Sequence, residues 1–123
     1  MQPERDHNFK GEKTAPWTFK ERPYREARGG WFSYDFKINP DMANGLVVEY
    51  WGGFPGAKTF DILVNNRVIA TENITNRKEG QFIDITYDIP EDISRGRNKI
   101  SIRFQAHHSN TAGPVFGIRT IKK

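Results

Sequence analysis

The chain has 123 residues, a length typical of one domain, and it has no apolar run near the ~20 residues of a membrane helix, so we expect no membrane insertion. It carries 19 basic and 15 acidic side chains, and because the two signs are interleaved we expect no nucleic acid partner. The absence of cysteine excludes disulfides, thiolate nucleophiles and cysteine zinc sites.

The chain begins with a polar segment, residues 1–30, that shows no helical period, and we expect it to be irregular and to pack on the rest. The remaining sequence alternates over short segments between turn residues, which predicts an all-β fold, a two-sheet antiparallel β-sandwich of the jelly-roll type. We predict a single domain over 1–123. The predicted strands are Trp31–Ile38, Leu46–Trp51, Thr59–Val64, Arg67–Glu72, Gln81–Ile89, Lys99–Ala106 and Val115–Ile121.

Three connections between these strands have recognisable turn chemistry. The segment Asn39–Gly45 combines proline, aspartate, asparagine and glycine, all of which favour turns. In Val64–Arg67, two asparagines that tolerate left-handed geometry predict a two-residue hairpin. Between Pro90 and Arg95, a proline followed by two acidic residues predicts one short helical turn, with Gly96 at its exit.

The alternation also predicts which side chains face inward. A hairpin centred near Asp41 would place the Phe32, Tyr34 and Phe36 face opposite the Tyr50, Val48 and Leu46 face, and Trp31 opposite Trp51 on the other side. The alternative is that these two strands belong to different sheets, as successive strands of a sandwich often do. The predicted core is Phe32, Tyr34, Phe36, Leu46, Val48, Phe60, Ile62, Ile83, Ile85, Tyr87, Ile100, Ile102, Phe104 and Ile118.

A search for catalytic or metal-binding patterns finds little. His107 and His108 are adjacent, and neighbouring residues on a strand point to opposite faces, so they form a poor metal pair. Asp35 and Glu49 could share a face as the paired carboxylates of a glycoside hydrolase, but charged residues on the solvated face of a strand usually have no catalytic role. We therefore expect no catalytic residue, metal ligand or cofactor. The loop Asn39–Asn44 leaves a structural calcium ion open.

Aromatic residues beside polar loops are the stronger functional signal, because flat rings stack on the C–H faces of sugars. We expect Trp31 to be more than half buried and Trp51 to be the more exposed tryptophan; alternatively, the N-terminal segment or a neighbouring domain covers both. The candidate carbohydrate-binding residues are Trp51, Trp31, Arg28, Asp6, His7, His107, His108 and Asn110.

Six stretches form an ordered set that resembles a known family. They are ERDHNFKGE, REARGGWFSYDFKINP, EYWGG, KTFDILVNNRVIAT, FIDITYDIPEDISRGRNKISIRFQAH and NTAGPVFGIRTI. The set is similar to the small C-terminal β-sandwich domain of Bacteroides-type proteins related to glycoside hydrolase family 127, the β-L-arabinofuranosidase-like enzymes. The resemblance implies that catalysis belongs to an (α/α) barrel with a cysteine nucleophile and a thiolate-bound metal. This chain has no such barrel and no cysteine, so no catalytic residue is carried over.

The same resemblance implies a context for the chain. It suggests a C-terminal fragment whose partners are the catalytic domain of the same polypeptide and a plant-type polysaccharide. It also suggests a periplasmic or extracellular location, with the signal peptide on the missing N-terminal part. Our leading hypothesis is a non-catalytic accessory domain of a secreted polysaccharide-degrading glycoside hydrolase that binds carbohydrate. The alternative is a purely structural domain that braces the barrel, which predicts a contiguous exposed apolar patch.

Overall fold

A computed structural model describes residues 8–41, 43–52, 58–73 and 81–122 of the chain. The predicted all-β fold is confirmed, and two strands, Thr59–Val64 and Lys99–Ala106, have the predicted bounds. In the described residues, the single α-helix is one turn long, and no helix there has the length and apolarity to cross a membrane. The elements are β1 (Lys10–Phe19), β2 (Arg22–Lys37), β3 (Asn44–Trp51), β4 (Thr59–Val64), β5 (Arg67–Asn73), β6 (Phe82–Ile89), α1 (Glu91–Ser94), β7 (Lys99–Ala106) and β8 (Thr111–Lys122).

The strands form a β-sandwich in which β2 belongs to both layers. Neighbouring strands follow the order β5-β4-β7-β2-β8-β3-β6, and β1 lies along the other edge of β2. Residues 31–37 of β2 pair with β7, whereas its residues 25–28 pair with β8. Gly29 lies between these two halves with a φ of 65°, a conformation that glycine adopts without strain. The long strand therefore carries the chain from one layer to the other.

The predicted hairpin between the second and third strands is wrong. Phe32 and Tyr34 face Phe104 and Ile102 of β7, and β3 instead lies between β6 and β8. The segment between β2 and β3 crosses from one layer to the other, so the two apolar faces meet across the core instead of side by side. The inward assignment of both faces is nevertheless confirmed.

The prediction of an irregular N-terminal segment is wrong for the described residues, because β1 and the first half of β2 form an antiparallel pair. The segment does pack on the sandwich, as expected. Its sequence lacks the alternation of a half-buried strand, and β1 is mostly exposed. Pairing with the β2 backbone holds it in place. Gly30 permits this close approach, since a Cβ there would lie 2.1 Å from the Glu12 carbonyl oxygen.

The core follows the predicted alternation closely. Eleven predicted members are buried, and Ile83, Ile85 and Ile118 are partly buried at its margin. The asparagine hairpin is also confirmed, with φ values of 50° at Asn65 and 68° at Asn66. Predicted residues that are buried in the core are Phe32, Tyr34, Phe36, Leu46, Val48, Phe60, Ile62, Tyr87, Ile100, Ile102 and Phe104.

A buried polar chain connects the two layers where β5 and β6 approach each other. The hydroxyls of Tyr50 and Tyr87 are 2.9 Å apart, and the Tyr87 hydroxyl donates to Glu72 Oε2 at 2.8 Å. Glu72 is only 9% exposed. Because a buried carboxylate without partners is costly, these hydrogen bonds fix β3, β6 and β5 relative to one another.

Candidate functional site

Trp51 is not the exposed tryptophan that the sequence predicted. Only 9% of it is exposed, because the tip of the β1–β2 hairpin covers the outer face of β3. Phe19 and Phe82 pack on the indole with ring centroids 5.0 and 4.9 Å away, and the Lys20 ammonium lies 5.4 Å from its centre. The alternative that the N-terminal segment covers a tryptophan is thus correct for Trp51.

Arg22 holds the β1–β2 hairpin against β3 and β6. Its guanidinium lies 4.4 Å from the ring centre of Phe82 and pairs with the Glu49 carboxylate. The hydrogen bond to Glu49 outweighs desolvation and raises the pKa of Arg22 above its ordinary value. This cluster of aromatic and charged groups covers the outer face of β3 and leaves no platform for a ligand at Trp51.

Trp31 is mostly buried, as expected. The Arg103 guanidinium stacks on its ring at 4.1 Å and donates hydrogen bonds of 3.1 and 2.5 Å to Gln105 Oε1. Gln105 in turn donates to the Gly30 carbonyl at 3.2 Å. The face of this tryptophan is therefore occupied by a neighbouring side chain, in a position fixed by hydrogen bonds.

The predicted residues of the β7–β8 connection hold that loop together. Asn110 Oδ1 accepts from the Thr59 N–H at 3.0 Å, and Asn110 Nδ2 donates to the His108 carbonyl at 2.9 Å. His107 Nε2 lies 2.9 Å from Asp61 Oδ1. Sugar contacts by these residues stay a prediction. Two further candidates, Asp6 and His7, lie outside the described residues.

The Asp61 carboxylate is the centre of a small polar cluster that includes His107 and Thr71. Thr71 Oγ1 donates to Asp61 Oδ1 at 2.6 Å. Burial alone would raise the pKa of Asp61, but the hydrogen bonds of Thr71 and His107 outweigh it, and the pKa is lowered. The cluster ties β4, β5 and the β7–β8 loop to one another, and its residues line neither the groove at Trp17 nor the clefts where β2 ends.

The exposed tryptophan is Trp17 on β1, with 53% of its surface accessible. It borders a groove of about 250 Å³ on the surface of the β1–β2 pair, here called the Trp17 groove. Arg28, one of the predicted sugar-binding residues, lines the same groove with a side chain that is 80% exposed. The groove is lined by Lys13, Thr14, Ala15, Trp17, Glu26 and Arg28.

The register of β1 on β2 builds this groove. Ala15 lies opposite Glu26 and Trp17 opposite Tyr24, so these four side chains share one face of the pair. A register shift between Glu12 and Thr14 inserts Lys13, whose φ is 52°. Such a bulge re-aims side chains at the edge of a sheet.

Glu26 gives the groove a carboxylate that is paired in charge with Arg28 but not hydrogen-bonded to it. The residue is only 8% exposed, and its Oε1 lies 3.7 Å from Arg28 Nε, beyond hydrogen-bond distance. Among the described residues, none donates a hydrogen bond to this carboxylate. Its charge helps to raise the pKa of the Tyr24 phenol, although burial is the larger cause. A ligand hydroxyl entering the groove would meet an available carboxylate beside an available guanidinium.

Lys58 is a second cation that interacts electrostatically with this carboxylate. Burial lowers the pKa of Lys58, Glu26 acts in the opposite direction, and Arg28 adds to the lowering. The groove therefore has an apolar platform at Trp17, an anionic acceptor at Glu26 and cationic donors around it. Ligand sites typically combine apolar walls with a few convergent polar groups of this kind.

A larger cleft of about 440 Å³ lies at the end of the sandwich where β2 ends. It lacks an aromatic side chain among its lining residues, and its asparagines have partners: Asn44 Nδ2 donates to the Asn39 carbonyl at 3.0 Å. Asn39 Oδ1 accepts the Asp41 N–H at 2.9 Å. Although this cleft is larger, the Trp17 groove has the better chemistry for a sugar. The cleft is lined by Lys37, Ile38, Asn39, Pro40, Asn44, Thr120 and Ile121.

In the part of the chain that the structure describes, no three histidine, aspartate or glutamate side chains lie together as metal ligands. A calcium ion at the loop Asn39–Asn44 stays a prediction.

Sequence reasoning singled out Arg28, which lines the Trp17 groove, but it did not single out Trp17 or Glu26. Trp17 lies in the polar N-terminal segment, and nothing in its sequence context sets it apart from Trp31 and Trp51. The available signal was the spacing of Ala15, Trp17 and Phe19, which share one face if the segment is a strand. Without knowledge of the pairing partner, that spacing does not bring Glu26 or Arg28 beside the indole.

Comparison with protein families gives one match: a family model described as "Family of unknown function (DUF6805)" covers residues 1–121. A comparison with curated proteins finds no match.

Several solved structures share the fold. A family 35 carbohydrate binding module from Clostridium thermocellum is 14% identical with a TM-score of 0.66, covering 94% of this chain and 93% of that one. The CBM35 of Paenibacillus barcinonensis is 10% identical with a TM-score of 0.67, at 94% and 93% coverage. The exo-β-1,3-galactanase of Phanerochaete chrysosporium, solved with galactose, is 12% identical with a TM-score of 0.70, and the match covers 95% of this chain but 28% of the enzyme. At such low identities the likeness shows the fold alone.

Proposed function

The chain belongs to the DUF6805 family, and we propose that it is a non-catalytic carbohydrate-binding domain that holds sugar in the Trp17 groove. One observation carries the proposal: an indole that is 53% exposed borders the same groove as a nearly buried carboxylate and an exposed guanidinium that forms an ion pair with it. An exposed aromatic ring offers a large contact area with little side-chain entropy to lose. Charged partners form the stronger hydrogen bonds to sugar hydroxyls.

The fold supports this reading in a general way, because carbohydrate binding modules of family 35 have the same architecture along almost their whole length. The galactanase supports an accessory role, since a domain of this fold accounts for about a quarter of that enzyme. We propose that this domain likewise accompanies the catalytic domain of a polysaccharide-degrading glycoside hydrolase. It would then act in the periplasm or outside the cell, where such polysaccharides are met.

A purely structural brace for a catalytic barrel is the alternative, and it predicts a contiguous apolar patch. Among the described residues, the large apolar side chains that are exposed are Trp17 and Val68. They lie on β1 and β5, which are separated in the strand order by β2, β7 and β4. Two separated side chains do not form an apolar interface, so the described surface favours ligand binding.

Titration calorimetry of the chain against arabinan, arabinogalactan and pectin oligosaccharides tests the proposal. We expect saturable binding to at least one, and at least a tenfold loss of affinity in Trp17→Ala, equivalent to about 1.4 kcal/mol or more. Val68→Ala is the matched control, because that side chain is also half exposed (52%) but lies on β5; its affinity should equal that of the unmodified chain. Flat titrations with an intact fold, or normal binding by Trp17→Ala, would overturn the proposal.

A further inference from the structure

We infer that the Trp17 groove selects uncharged sugar units with two adjacent hydroxyl groups, one donating to Glu26 and the other accepting from Arg28. This inference rests on the proposed function and specifies the class of sugar that the groove takes.

The Glu26 side chain determines which kind of ligand atom can bind next to it. An ionised carboxylate can only accept hydrogen bonds. This one is 8% exposed, lines the groove and is held by an ion pair with Arg28 at 3.7 Å, with no hydrogen bond to it within the described part of the chain. Covering it with a ligand that cannot donate would leave a buried acceptor without a partner, which is costly. The ligand atom that reaches Glu26 must therefore carry a proton, as a sugar hydroxyl does and an ionised uronate carboxylate does not.

The Arg28 side chain places hydrogen-bond donors next to Glu26. Arg28 has only N–H donors, and its Nε lies 3.7 Å from Glu26 Oε1 without forming a hydrogen bond to it. The pair thus presents one acceptor and one donor side by side. Two adjacent hydroxyls on a sugar ring offer the complementary arrangement, because each hydroxyl can both donate and accept. The apolar C–H face of the same ring would lie on Trp17.

The positive charge around the groove would by itself attract an acidic sugar. Arg28 and Lys58 both interact electrostatically with Glu26, so their charge is already balanced in part by that carboxylate. A ligand carboxylate bound to Arg28 would stand against the nearly buried Glu26 and draw its counter-ion away. Repulsion between two close carboxylates in a desolvated site is strong. Lys13 is left as the attractive charge, at an exposed position where salt screens it.

Calorimetry with arabino-oligosaccharides and β-1,3-galactotriose as neutral probes, and an oligogalacturonide of equal length as the acidic probe, tests the inference. We expect at least one neutral probe to bind at least tenfold more tightly than the acidic one. The neutral affinity should change less than twofold between low and high salt. In Glu26→Gln the neutral affinity should fall at least tenfold, and the acidic affinity should rise.

Glu12→Gln is the matched control, because Glu12 is an exposed carboxylate on β1 that does not line the groove. It should leave every affinity unchanged. If the acidic probe binds more tightly and Trp17→Ala abolishes that binding, the groove binds sugar but this inference is overturned. If no probe binds to the folded chain, the proposed function fails and the inference fails with it. Arg28→Ala, expected to weaken neutral binding, guards against a folding defect specific to the Glu26 variant.

Discussion

The ring of Phe19 lies against the indole of Trp51, with the two centroids 5.0 Å apart. Phe19 ends β1, and Lys20 beside it places its ammonium 5.4 Å from the same indole. This contact buries a tryptophan on the outward face of β3 and fixes the far end of the strand that carries Trp17. One pair of aromatic residues thus decides which tryptophan is covered and which is available.

Replacing Phe19 by alanine should uncover Trp51. We expect a loss of about 1–3 kcal/mol in the free energy of unfolding, since a large apolar contact is removed. Tryptophan emission should shift to longer wavelength, with stronger quenching by acrylamide. The exposed Trp17 would dominate quenching, so Phe19→Ala is made in a chain that also carries Trp17→Phe. The Trp17→Phe single variant is the matched control. Equal quenching in the two proteins would show that Phe19 does not cover Trp51.

The fold was predictable from the sequence as far as alternation reaches. Phe32, Tyr34 and Phe36 share a parity, and that parity alone places them in the core. Pairing was not predictable in the same way, because β2 and β3 carry apolar faces that fit equally well side by side or across two layers. The choice between these arrangements depends on the path of the connection between them. β1 was missed because its stability comes from its partner strand and not from its own pattern.

The site was predictable only in its parts. Arg28 was singled out from its sequence context, but Trp51 was expected to be more exposed than Trp31, because nothing in the local sequence shows that Phe19 folds back over β3. Glu26 resembles any polar residue on a strand until its burial is known. Its burial depends on the bulge at Lys13 and on the register of β1 against β2, and both are properties of the folded pair.

Tyr87→Phe tests the buried hydroxyl chain. Tyr87 donates to Glu72 and lies 2.9 Å from the Tyr50 hydroxyl, so its loss should destabilise the fold by about 1–3 kcal/mol at neutral pH. Burial first, and then Tyr50 and Glu72, raise the pKa of the Tyr87 phenol far above its usual value. The stabilisation is therefore complete below about pH 10, the usual tyrosine pKa, and is lost as the unfolded chain ionises above it. Urea unfolding should show a smaller difference in the free energy of unfolding between the unmodified chain and Tyr87→Phe at pH 11 than at pH 7. A constant gap would contradict this account.

Asp61→Asn tests the polar cluster at the β7–β8 loop. Burial opposes the ionised form, but hydrogen bonds from Thr71 and His107 prevail and lower the pKa of Asp61. Its contribution is thus present above about pH 4, the usual aspartate pKa, and is lost as the pH falls through the lowered value. We expect a loss of about 0.5–1 kcal/mol at pH 7, because the cluster is partly exposed, and a smaller difference below pH 4. Asp84→Asn is the control, since its carboxylate is half exposed and lies 3.9 Å from Arg119. A difference that grows towards acid pH would show that the sign is wrong.

Arg103→Ala should expose Trp31 without affecting sugar binding. The guanidinium stacks on that indole at 4.1 Å, a contact worth about 0.5–1 kcal/mol at a partly exposed site. Acrylamide quenching should increase when Arg103→Ala is made in a Trp17→Phe background, whereas with Trp17 present the affinity for any glycan bound in the Trp17 groove should stay unchanged. Arg119→Ala removes an exposed cation from β8 and controls for the change in net charge. A parallel loss of glycan affinity in Arg103→Ala alone would mean that the Trp31 face is the binding surface.

The three tryptophan indole N–H signals in a ¹⁵N-labelled sample test the central claim most directly. Each can be assigned by its disappearance in a tryptophan-to-phenylalanine variant, and the sample is then titrated with arabino-oligosaccharide or β-1,3-galactotriose. The account predicts that the Trp17 signal moves in a saturable way while the signal of the covered Trp51 stays in place. A shift confined to Trp31 or Trp51, or no shift of Trp17 at saturating glycan in a folded sample, would contradict it.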